Sequence, residues 1–169
     1  MTRYVTFKFC LDPTADQQDL LARHAGASRF AFNQCLSMVK TALTQRCTDP
    51  GADVPWTGFD LINSFNAWKT TEAAGRVFAV DTDGVAELNV IGLVWRREVC
   101  QQVFEEAAVD CGRALAAWSD SRNGKRKGRR VGFPRFKKKS MAVASFRVRN
   151  KHQNDRKPAI RVGADGAKR

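Results

Sequence analysis

The sequence predicts an α+β fold in which a block of helices is inserted between pieces of one β-structure. Three observations predict it. A short alternating stretch opens the chain, apolar residues then recur at helical spacing through the middle, and alternation returns near the end. One isolated strand cannot be stable alone, so the first strand is expected to pair with the later ones. The sheet would be aromatic inside and basic outside, in outline like the oligonucleotide-binding barrels. Three or four strands are too few to close a barrel. Either the sheet is open or the remaining strands are missing from this stretch of chain.

The elements follow in order. In Tyr4-Val5-Thr6-Phe7-Lys8-Phe9, Val5, Phe7 and Phe9 face one way and the polar residues the other, which reads as a half-buried strand. Asp12-Pro13 ends it. Thr14-Ala15-Asp16-Gln17 fits a capping box, with Thr14 as N-cap and Gln17 at N3. A short helix should follow, with Leu20 and Leu21 inward, closing near Gly26. A second helix is expected from Ala27 to Arg46, burying Phe32, Leu36, Val39 and Leu43, with Arg29 and Asn33 one turn apart off that stripe. Asp49-Pro50-Gly51 and Pro55 mark a loop. Asp60 to Lys69 suits a short helix with Leu61, Phe65 and Trp68 on one side. Residues 70 to 90 show little periodicity and read as a loop with at most one helical turn.

The longest helix is expected from Leu93 to Ser119. Its buried stripe would be Cys100, Val103, Phe104, Ala107, Cys111, Ala114, Leu115 and Trp118, with Arg97, Gln101 and Glu105 beside it. Asn123-Gly124 should stop it. A basic turn follows, Arg126-Lys-Gly-Arg-Arg-Val-Gly-Phe-Pro-Arg-Phe-Lys-Lys-Lys139. Pro134 fixes its own φ and holds Phe133 extended, so rings can anchor while cations project. Beyond it, Ser145 to Arg149 alternates, with Phe146 and Val148 in, and Ala159 to Val162 repeats the habit. Gly163 to Arg169 is expected to fray.

Charge separates the chain into two parts. Residues 122–169 carry eighteen Lys/Arg and two acids, whereas residues 1–121 carry eleven Lys/Arg and fifteen acids. Such asymmetry points to a module that meets a polyanion. Nucleic acid fits better than membrane, because no apolar run approaches 20 residues and the tail holds no basic amphipathic helix. No signal peptide is evident. The five cysteines, Cys10, Cys35, Cys47, Cys100 and Cys111, lack Cys-x-x-Cys spacing and read as reduced, buried thiols of a cytoplasmic protein rather than zinc ligands or disulfides.

The residues Phe7-Lys8-Phe9 with Pro13 and Gln17, then Gly26-x-x-Arg29-Phe30-x-x-Asn33, then Gly132-Phe133-Pro134-Arg135-Phe136-Lys137-Lys138, then Ser145-Phe146-Arg147, resemble the N-terminal part of TnpB. TnpB is the transposon-encoded RNA-guided nuclease to which the compact type V CRISPR effectors are related. The resemblance runs in order over almost the whole chain. It is weakest over residues 47 to 92, which are longer than usual. It implies a split wedge domain, an incomplete oligonucleotide-binding-like barrel in residues 1–12 and 122–169, with a helical recognition domain in residues 13–121. It also implies a later RuvC-like nuclease that uses a divalent metal, Mg, and lies beyond this stretch. The 169 residues are therefore expected to be the N-terminal piece of a longer effector, without a catalytic or metal site of their own.

The partners implied are a guide RNA and target DNA, with sequence read by base pairing and a short flanking motif read by protein. By position, the resemblance assigns the flanking-motif contacts to Thr57, Arg97 and Gln101. Arg suits guanine and Gln suits adenine, each worth roughly 1–3 kcal/mol of discrimination. The backbone-contact set is Arg126, Lys127, Arg129, Arg130, Arg135, Lys137, Lys138, Lys139, Arg147, Arg149 and Lys151. Phe133 and Phe136 read as core rings before base-stacking platforms, and Trp56 as a loop anchor. Competing readings are a nuclease-dead RNA-guided repressor, a stand-alone basic RNA- or DNA-binding protein, and an enzyme. For the last, Asp81, Asp83 and Glu87 offer too few ligands for an oxygen-lined metal site, and His24 and His152 lack partners for a nucleophilic one.

Overall fold

A computed structural model describes residues 8, 10–80 and 82–149 of the 169. The expected strands at Tyr4–Phe9 and Ala159–Val162 lie outside the described residues apart from Lys8, as does Lys151. Within them the chain is α+β: three helices and one two-stranded sheet. A split barrel is not shown, and an incomplete one is consistent with this part.

Helix α1 spans Ala15–Thr48. Its start is the capping box read from the sequence. The Gln17 N–H donates to Thr14 Oγ1 (3.4 Å) and the Thr14 N–H donates to Gln17 Oε1 (3.0 Å). The expected break at Gly26 does not occur. A glycine inside a helix costs about 1 kcal/mol, which is too little to end one whose neighbours are buried. Ala25, Ala27, Ser28 and Ala31 are buried, so tertiary packing carries the helix through. Leu20 is exposed rather than inward.

Helix α2, Gly58–Trp68, begins on a second capping box, between Thr57 and Asp60. Helix α3, Gln101–Arg122, starts eight residues later than the sequence predicts. Val94–Arg97 forms a separate 3-10 turn, and Cys100, at φ −57° and ψ 126°, is the non-helical N-cap of α3. The apolar spacing of a 3-10 turn followed by a helix mimics one longer helix, which explains the difference. Asn123 closes α3, and Gly124 at φ 71° takes the left-handed turn.

The three helices enclose one core: Phe32, Leu36 and Val39 from α1, Leu61 and Phe65 from α2, and Val103, Phe104, Ala107, Cys111 and Leu115 from α3. Of the cysteines, all expected inside, Cys35 and Cys111 are buried, whereas Cys10, Cys47 and Cys100 are exposed because they lie off the faces that the helices pack together. Where α2 crosses α3, a Cβ at Gly112 would lie 2.6 Å from the Gly58 backbone nitrogen, so glycine permits the close approach. Phe30 packs on Trp68 (6.0 Å) and edge-on to Trp95 (5.3 Å).

Residues 70–90, expected as a loop, instead carry an antiparallel hairpin of β1, Arg76–Val80, and β2, Ala86–Ile91. The one helical turn allowed there is the 3-10 turn Glu72–Ala74. Both strands are solvent-facing apart from Val90, so burial imposes no alternation for a sequence reader to find. A bulge between Val77 and Phe78 shifts the register as well. The hairpin base is pinned to the end of α2: Gly92 N–H donates to the Gly75 carbonyl and Leu93 N–H to the Lys69 carbonyl, both at 2.8 Å.

Candidate nucleic-acid interface

After α3 the chain returns across the helices as a strap, residues 131–149, broken by a turn at 139–142, and Ser145 to Arg149, expected as a strand, forms no ladder with any described residue. Its position is fixed by named contacts. The Val131 N–H donates to Ser121 Oγ (2.9 Å). Phe133 meets Trp118 edge-on at 5.1 Å and joins the core. The Asn33 side chain then grips Lys137 at both backbone groups. The Lys137 N–H donates to Asn33 Oδ1 (2.8 Å), and Asn33 Nδ2 donates to the Lys137 carbonyl (3.0 Å). An amide forming both bonds with one residue mimics a strand partner and sets the register of the basic motif. Asn33 and the Gly-Phe-Pro-Arg-Phe-Lys motif were each visible in the sequence, but their pairing across 104 residues was not.

That register sorts the cations. Arg126, Lys127, Arg129, Arg130, Arg135, Lys138 and Lys139 are exposed, and none forms an ion pair among the described residues. Lys137 is different: its ammonium sits 3.9 Å from the centroid of the Phe32 ring, turned toward the core. Arg147 lies 3.1 Å from Asp110 Oδ1 and 3.7 Å from Glu106 Oε2. Arg149 pairs with Glu106 Oε1. The Glu106 side chain is only 4% exposed, so these arginines neutralise a buried carboxylate on α3. Lys137, Arg147 and Arg149 therefore hold the strap to the helices, where the sequence placed them in solvent. Phe146 and Val148 do point inward, and Phe146 lies 5.3 Å from His24.

His24, for which the sequence offered no partner, joins α1 to α3. The Cys100 N–H donates to its Nε2 (3.2 Å), which leaves Nδ1 to donate to the Leu20 carbonyl (2.8 Å).

The three flanking-motif candidates do not share one face. Thr57 is the N-cap of α2: its hydroxyl donates to Asp60 Oδ2 (2.7 Å) and accepts from the Asp60 N–H (3.2 Å). These bonds, the Thr57 backbone N–H first and its hydroxyl next, hold the Asp60 carboxyl below its ordinary pKa. Thr57 adjoins Gly112, about 16 Å along α3 from Gln101 at 1.5 Å per residue. Arg97 ends the 3-10 turn and Gln101 begins α3, so the single-helix spacing expected of them does not hold. Arg97 is exposed. Gln101 is occupied: Oε1 accepts from Lys69 Nζ (2.6 Å), and Nε2 donates to Asn66 Oδ1 (3.0 Å). Burial, then the nearby Arg96 guanidinium, depresses the Lys69 pKa, and Glu105 partly opposes them.

Among the described residues no three His, Cys, Asp or Glu side chains are grouped to hold a metal ion. None of their helices is long and apolar enough to cross a membrane.

Residues 1–47 match HTH_OrfB_IS605, described as a helix-turn-helix domain. The described part of that stretch is one continuous helix from Ala15. A protein of Mycobacterium tuberculosis named "Putative RNA-guided DNA endonuclease" is 32% identical over 133 residues in each of strains CDC 1551 / Oshkosh and ATCC 25618 / H37Rv. The match covers 79% of this chain and 26% of the relative, so the chain spans about a quarter of that relative's length. No solved structure matches.

Proposed function

Taking the chain as TnpB-like over its N-terminal part, we propose that it is the nucleic-acid-binding portion of an RNA-guided DNA endonuclease. It binds guide RNA and the RNA–DNA heteroduplex through phosphate contacts, and it meets duplex DNA beside the target. The observation that carries this reading is the run from Arg126 to Lys139: seven exposed cations without acid partners among the described residues, four leading into the strap and three on it, where Asn33 registers the backbone at Lys137. Phosphates can replace water at such side chains without breaking a protein ion pair.

In this reading the helices form the recognition part, and the strap continues into the wedge. Arg97 is available to a base edge. Gln101 reads a base only after its bonds to Lys69 and Asn66 open, and Thr57 contributes through the cap it makes. Metal-dependent cleavage belongs to the remainder of the longer protein, where Mg would be held. An inactive remainder would make the same portion serve a guided repressor.

The test is filter binding of the 169-residue chain to structured RNA and to random duplex DNA across a salt series. RNA should bind more tightly, with the affinity falling steeply as salt rises, by about 0.7 to 0.9 log units per log of salt for each phosphate neutralised. A flat salt response would refute the reading.

A further inference from the structure

The two phenylalanines of the basic motif have different surroundings. Phe133 is packed on Trp118 in the core, whereas Phe136 is 46% exposed and stands outside the core cluster. Phe136 lines a cleft of about 640 Å³ between α1 and the strap, together with Pro134, Met141 and the cations Lys40, Arg135 and Lys138. No carboxylate lines it. Met141 at its rim is 80% exposed, and Lys40 Nζ lies 4.5 Å from the Phe136 centroid. Ala142 also lines a second cleft, of about 650 Å³, whose lining includes Arg29, Lys139 and one carboxylate, Asp19. The result is a trough with apolar walls and a cationic rim, with a half-exposed ring on its wall.

We infer that this trough binds single-stranded RNA, with an unpaired base against Phe136 and Met141 and its phosphates on Lys40, Arg135 and Lys138. The strand continues past Lys139 toward Arg29. The inference rests on the proposed function and specifies which part of an RNA is held. An unpaired base offers the flat face an exposed ring can stack on, while a duplex keeps its bases inside. Lys40 now covers the ring as a cation, and it can move to a phosphate when a base takes its place.

The experiment measures fluorescence anisotropy of the full 169-residue chain with a labelled single-stranded RNA and with the same sequence as a duplex. Phe136→Leu keeps the apolar bulk and loses the aromatic face. It should weaken single-strand binding about tenfold and leave duplex binding unchanged. Lys138→Ala should weaken both. Wild-type-like single-strand binding by Phe136→Leu, or equal losses for both probes, would overturn the trough while leaving the proposed function standing. Failure of the wild-type chain to bind either probe would instead remove the proposed function. Wild-type protein photocrosslinked to a 4-thiouridine-substituted single strand supplies a readout independent of the variant's folding. Adducts should map to the peptide holding Phe136 and Met141, and adducts confined to other peptides would overturn the assignment. Displacement of RNA by polyglutamate at equal charge, with Phe136→Leu unaffected, would assign the cleft to an acidic peptide and also overturn it.

Discussion

Replacing Asn33 with alanine removes both hydrogen bonds that register the basic strap. Each is worth about 0.5–1.5 kcal/mol net, so the pair contributes about 1–3 kcal/mol to docking of the strap. The Lys137 N–H and carbonyl are half-buried, and water recovers only part of that loss. At about 2 kcal/mol the Lys137 amide should exchange hydrogen roughly thirtyfold faster, since each 1.36 kcal/mol is a factor of ten. If the strap melts with the helices, Tm should fall by about 4–8 °C for a domain of this size. Exchange measured amide by amide separates the two effects, because α3 core amides report global opening and Lys137 reports the strap. Gln34→Ala is the control: Gln34 is next in sequence but lines a different cleft, beside Pro55. A Lys137 amide exchanging at the wild-type rate in Asn33→Ala would refute the clamp.

Gly112→Ala forces a methyl group within 2.6 Å of the Gly58 nitrogen, on backbone that cannot swing aside, and should cost about 1–3 kcal/mol in denaturant unfolding. Thr57→Ala removes a helix cap and should cost about 1 kcal/mol in the same assay whatever the residue does toward DNA. Its effect should depend on pH. The Asp60 pKa is depressed in the folded chain, so its stabilisation is full above the unfolded carboxyl pKa and is lost as pH falls through the folded value, which makes the mutant and wild type converge in acid. The double change Glu106→Gln with Asp110→Asn releases Arg147 and Arg149 from their acids, and should steepen the salt dependence of single-stranded RNA binding by about 1.4, the equivalent of two phosphates. Burial pushes the Cys111 thiol up to about 12 and raises Cys35 further, so a thiol reagent near pH 8 should modify Cys10, Cys47 and Cys100 in native protein, with the other two reacting only after denaturation. These raised values also make the fold lose stability as pH climbs past the ordinary thiol pKa, because the unfolded chain releases those protons first.

Local chemistry was legible in the sequence. The Thr14 cap, the Phe32-Leu36-Val39 stripe, the apolar side of α2 and the Asn123-Gly124 stop each depend on residues within one or two turns of each other. The concentration of positive charge after residue 121 was legible for the same reason, since it requires only counting. Gly26 misled because its propensity is small beside the burial of its neighbours on α1, and burial is decided by α2 and α3. The exposed hairpin left no alternation to detect.

What tertiary structure alone decided is which cations remain for a partner. Lys137, Arg147 and Arg149 look like their neighbours in the sequence, yet Phe32, Asp110 and Glu106 claim them from distant positions on the helices. The sequence determines how much charge the strap carries. The fold determines where that charge goes, because a cation is committed by whatever its side chain can reach, and reach depends on the return of the chain across α1 and α3.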